Sequence, residues 1–99
     1  MDTTTYGRLT RSELITELLT ITGMLSTRCR ELGSVTADYN REFYPAYFVA
    51  PGNSVSAKER EANYKCITLL NEMVELEAEI KSLEIIKHLI ETILPHAAE

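Results

Sequence analysis

The sequence predicts an all-α protein: a long antiparallel helical hairpin with coiled-coil packing, assembling into a homo-oligomeric helical bundle or ring. Three observations predict it. Apolar residues recur at steps of 3 and 4 in both halves of the 99-residue chain, the spacing of a helix face. Each stripe opens on a T/S-x-x-E capping box, and "APGN" (Ala50–Asn53) separates the two. The second stripe is flanked by another, so its helix is apolar on two sides and needs two partners.

Residues 1–9 read as a loose arm, because "MDTTTYG" is polar and without periodicity. Helix one is expected over 10–50. Thr10 and Glu13 form its capping box, and Leu9 and Leu14 occupy the positions of a hydrophobic staple. Leu14, Leu18, Ile21, Leu25, Cys29 and Leu32 then mark one face. The stripe continues through Val35 or Thr36, Tyr39, Phe43 and Tyr47. Pro45 disfavours the α conformation at Tyr44 and removes a donor, so helix one ends near Phe43 or kinks and continues to Ala50. The spacing 39, 43, 47 favours the kink. Tyr47, on the stripe, is expected in the core, and Tyr44, off it, at the surface.

Residues 51–55 read as a turn, because Pro51 presets one turn angle and Gly52 and Asn53 tolerate positive φ. Ser56 and Glu59 form the second capping box, opening helix two over 57–94, about 57 Å at 1.5 Å per residue. Pro95 closes it and leaves 95–99 as a tail. Ala62, Cys66, Leu69, Met73, Leu76, Ile80 and Leu83 alternate steps of 4 and 3, and the seam resumes at Ile90 and Leu94 after Lys87. Sustained a/d spacing is the coiled-coil signature. Beside the seam lie Ile67, Leu70 and Val74, with Ile85, Ile86, Leu89 and Ile93 widening the far end; these are the expected oligomer interface.

Charge and composition narrow the function. Residues 1–65 carry eight acidic and eight basic side chains, whereas 66–99 carry seven acidic and two basic, which is the whole net charge of −5. A general DNA-coating role does not fit an acidic second helix. The acidic residues Glu72, Glu75 and Glu79, with neighbours Glu77 and Glu84, form either a face that mimics phosphates toward a basic partner or a solvated helix surface. Cys29 and Cys66 match no metal or redox spacing, and free thiols place the protein in the cytoplasm. No apolar run approaches the roughly 20 residues of a membrane span, so no membrane partner is expected. His88 and His96 lack a third ligand at metal spacing, the four glycines match no nucleotide fingerprint, and no serine stands in a nucleophile context. The expectation is no catalytic residue, no metal, no cofactor and no enzymatic activity.

Six of the seven aromatic residues fall between Tyr39 and Tyr64. Arg41, Tyr44, Lys58, Arg60, Tyr64 and Lys65 are the ligand or nucleic-acid candidates, because rings interleaved with cations stack bases and hold phosphates. Asp38, Glu42, Glu59 and Glu61 offset those cations, and the competing reading is that the rings plug the wide end of the hairpin.

The string "ADYNREFYPAYFVAPGNSVSAKEREANYKCITLLNEMVELEAEIKSLEIIKHLIETIL" is similar to small helical bacteriophage proteins. In those, a first helix ends in spaced tyrosines and alanines, a G-x-S-V turn follows, and A-x-E-R-E-like residues open a long second helix. Some of them resemble the recombination mediator UvsY, an oligomeric protein that helps load a recombinase on single-stranded DNA. The likeness covers about residues 36–94. It implies that Arg41, Lys58, Arg60 and Lys65 carry single-strand contact and that the second helix carries assembly. The acidic second helix is where this chain departs from that pattern. The resulting expectation is a phage-encoded, self-associating accessory protein in recombination or single-stranded DNA handling, with itself and a recombinase as partners. The alternatives are an inhibitor whose acidic helix fills the basic groove of a host defence or nucleic-acid enzyme, and an oligomer that sequesters a small nucleotide.

Overall fold

The computed structural model describes residues 6–98. The fold is all-α: helix α1 spans Arg11–Val49, α2 Val55–Lys65 and α3 Ile67–Ile93, a 3-10 turn follows at Leu94–His96, and no strand occurs among the described residues.

The start of α1 is fixed by its sequence. The Glu13 backbone N–H donates to Thr10 Oγ1 at 3.2 Å, and the Thr10 N–H donates to Glu13 Oε1 at 3.0 Å. Both halves of the capping box are closed, which leaves two fewer orphan donors in the first turn. A third, the Arg11 N–H, donates to the Ala98 carbonyl at 2.7 Å. At its other end α1 runs through Pro45 to Val49. Pro45 is exposed, so water can take the carbonyl that loses its donor there.

Gly52 has φ 121°, and a Cβ on it would sit 3.2 Å from Ala57 Cβ. Two features of the next helix differ from expectation. Its N-cap is Ser54, not Ser56: Ser54 is extended (φ −117°, ψ 152°) and its Oγ accepts the Ala57 N–H at 3.1 Å. The first serine beyond the Gly52 turn is thereby already in cap geometry, and Ser56 falls inside the first turn. Nor is 57–94 one helix. Cys66, at φ −102° and ψ 20°, separates α2 from α3. The cause is local: Cys66, Ile67 and Thr68 are consecutive weak helix formers. The interruption is slight, because Cys66 N–H still reaches Ala62 O at 3.1 Å and Leu70 N–H reaches Cys66 O at 3.0 Å.

The described part of the arm is not loose either. Tyr6 is 1% exposed and belongs to the core with Leu14, Ile21 and Ile90, and Leu9 packs against them. Covering the Tyr6 ring and Leu9 against that cluster offsets part of the cost of ordering these backbone residues. The tail is likewise ordered, with Ala97 packed on that core. Residues 1–5 and 99 of the arm and tail lie outside the described residues.

The chain forms two compact units, Met1–Cys29 with Ala78–Glu99, and Arg30–Glu77. In the first, Leu18 and Leu25 of α1 and Leu83, Ile86, Leu89 and Ile93 of α3 surround the buried cluster. In the second, Ala50, Ala62 and Cys66 are buried, and the Tyr39 hydroxyl donates to Asn63 Oδ1. Every seam position from Ala62 to Leu94 is buried or half-buried. Along the stripe from Leu14 to Leu32, Cys29 alone is exposed.

Candidate interaction site

The second unit carries the aromatic candidates. Tyr39, Phe43 and Tyr47, spaced by four on α1, stack with centroids 5.5 and 6.0 Å apart. Tyr44 meets Phe43 edge-on at 5.5 Å, and Phe48 meets Tyr47 edge-on at 5.7 Å. The stripe rings Tyr39, Phe43 and Tyr47 are half-buried, whereas Tyr44 is 56% and Phe48 73% exposed. Burial, with smaller contributions from Cys66, Glu59 and Tyr44, raises the Tyr39 phenol above its ordinary pKa, so it stays a neutral donor to Asn63. Burial and then the Glu42 carboxylate push the Cys66 thiol up as well, which suits a packed apolar residue, not a nucleophile. Both cysteines are free, Cys29 exposed and Cys66 buried.

Two of the basic candidates are engaged within the chain. Arg41 Nη1 pairs with Asp38 Oδ1 at 3.1 Å, and Lys58 Nζ lies 5.8 Å from the centre of the Tyr47 ring, a cation–π distance. Arg60, Tyr64 and Lys65 are exposed on α2, and Tyr64 joins no ring pair among the described residues. Phe48, absent from the candidate set, extends the Arg41–Tyr44 line of α1 by one turn. That 3–4 spacing was the available signal. Val49 and Val55, 74% and 61% exposed, add to the same end of the unit.

The expected oligomer face divides. Ile67, Val74 and Ile85 are 46%, 58% and 69% exposed, and Leu70 is half-buried. Ile86, Leu89 and Ile93 instead pack against the core of the first unit. Their side of α3 is partly used within the chain, on the cluster that Tyr6 helps to build. The acidic face divides too. Glu72 and Glu75 are exposed, but Glu79 Oε2 accepts from Arg28 Nε at 2.8 Å. That pair borders a surface hollow lined by Met24, Ala78, Ser82 and Leu83. Among the described residues no group of three or more His, Cys, Asp or Glu side chains could hold a metal ion, and no helix is long and apolar enough to cross a membrane.

Comparison with family models, curated proteins and solved structures finds no match to the chain.

Proposed function

We propose that this chain is a non-enzymatic, self-associating helical accessory protein, encoded by a bacteriophage, that acts in recombination or single-stranded DNA handling through protein–protein contacts in the host cytoplasm. One observation carries the self-association. Among the described residues eleven large apolar side chains are exposed, whereas five are buried: Tyr6, Leu14, Ile21, Ile80 and Ile90. Isolated exposed apolar residues are ordinary, but an excess of this kind marks surface that a partner covers. A single small domain buries about 60–65% of its unfolded surface and gains most from association.

The arrangement behind the proposal is an antiparallel hairpin of α1 against α2 and α3. The Arg28–Glu79 ion pair and the Arg11–Ala98 hydrogen bond support that pairing within the first unit, and the Tyr39–Asn63 hydrogen bond supports it within the second. Ile67, Val74 and Ile85 remain available for the contact between copies.

Light scattering at micromolar concentration tests self-association: a multiple of 11.2 kDa is expected, and a well-folded monomer removes the proposal. A recombinase-loading assay on single-stranded DNA tests the accessory role, and no acceleration of loading removes that part.

A further inference from the structure

We infer that the aromatic turn of the second unit is a self-docking surface, on which Tyr44, Phe48, Val49 and Val55 pack against the same patch of a second copy. The inference rests on the proposed self-association and adds a second contact between copies to the one proposed at Ile67, Val74 and Ile85.

The sequence makes this segment unlike any other in the chain. Phe43–Ala57 is fifteen consecutive residues without a charge, the longest such run, in a protein one quarter of whose residues are charged. The structure leaves four of its large side chains in solvent: Tyr44 is 56%, Phe48 73%, Val49 74% and Val55 61% exposed. With about 200 Å² for a ring and somewhat less for a valine, these four present on the order of 500 Å² per copy. Two such patches face to face reach the roughly 1,000 Å² at which a specific interface begins. Aromatic side chains are also those that most often anchor interfaces.

Charge decides the occupant. Two copies of a chain of net charge −5 repel, and the seven acidic against two basic residues of 66–99 concentrate that repulsion on α3. The turn carries none of it. It is bordered by Arg41–Glu42 on one side and Lys58–Glu59 on the other, so each border of the patch is close to neutral. An isologous contact asks for a self-complementary patch. Nucleic acid fits less well: the uncharged run offers no cation to a phosphate, Arg41 is paired with Asp38, and Lys58 lies over the Tyr47 ring.

Sedimentation equilibrium over a concentration series compares the wild type with Phe48→Ser/Val49→Ser and, as a second site on α3, Ile67→Ser/Val74→Ser. All four positions are exposed, and circular dichroism checks that helicity is kept. The expected result is a wild-type oligomer whose dissociation constant rises at least tenfold in the Phe48/Val49 variant. If that variant loses helicity, Val55→Lys replaces it, with the same outcome expected. A wild-type oligomer untouched by the turn variants but weakened by the α3 pair overturns the inference while leaving self-association standing. A monomeric wild type overturns both. A labelled oligonucleotide is titrated in parallel, and loss of strand binding with self-association intact assigns the turn to nucleic acid instead and overturns the inference.

Discussion

The Glu13 carboxylate shows how one side chain sets the start of a 39-residue helix. Its pKa is lowered, first by the Thr10 backbone N–H and then by the Thr10 hydroxyl. A lowered folded-state pKa means that the stabilisation is present above the ordinary carboxylate range and is lost as pH falls through the lowered value. The gap in melting temperature between wild type and Glu13→Ala should therefore be open at neutral pH and narrow on acidification, as thermal melts at several pH values will show. Thr10→Ala removes the other half of the box and should cost about 1 kcal/mol, or roughly 4–8 °C for a domain of this size. The two cysteines invite a direct check at the same scale. Exposed Cys29 should alkylate in the native protein, whereas Cys66, 3% exposed and with a raised thiol pKa, should alkylate after denaturation. Peptide mass mapping after a short iodoacetamide pulse distinguishes them, and equal labelling would contradict the packing around Cys66.

Helices, turns and caps differ in how far the residues alone reveal them. The seam from Ala62 to Leu94 and the stripe from Leu14 to Leu25 were legible, because burial of one helix face follows from periodicity whatever the tertiary partner. The Thr10 box was legible because a single pairing of hydroxyl and carboxylate fits that stretch. The second cap was not. Ser54 and Ser56 both suit the role, and the choice between them depends on the backbone path out of Gly52. The break at Cys66 escaped for a related reason: weak propensity over three residues is ordinarily overridden by packing, and here it is not. Among the candidate side chains, sequence spacing placed Tyr44 at the surface, as found, but Tyr47 in the core, where it is half-buried; it gave Glu79 and Ile86 to outside partners, whereas Glu79 pairs with Arg28 and Ile86 packs on the core. Tyr6 was missed because an isolated aromatic in a polar run has no periodic neighbour to announce its burial. The turn itself yields a prediction. Gly52→Ala forces a Cβ into a positive-φ site 3.2 Å from Ala57 Cβ, and should destabilise by about 1–3 kcal/mol, read as a lower denaturation midpoint at unchanged slope.

For the whole molecule, stability and assembly are expected to separate by residue. Leu76 lies on the half-buried seam, and Ile67 and Val74 lie exposed off it. Leu76→Glu should unfold the protein, because an uncompensated charge is placed where apolar packing is needed. Ile67→Glu or Val74→Glu should lower the mass seen by light scattering while far-UV helicity persists. Unfolding by all three substitutions alike would leave no surface distinct from the core. The hydrogen bond from the Arg11 N–H to the Ala98 carbonyl has a consequence of another kind. It joins residues 87 positions apart in the sequence, and Ala97 packs on the same cluster as Tyr6 and Leu9. The backbone at Arg11 thus lies within hydrogen-bond distance of the backbone at Ala98. A peptide link run from Ala98 back to the Tyr6–Thr10 segment would circularise the described chain with little added loop entropy, and reopening that circle in the exposed, uncharged stretch at Pro51–Asn53 would create new ends where no helix has to be cut.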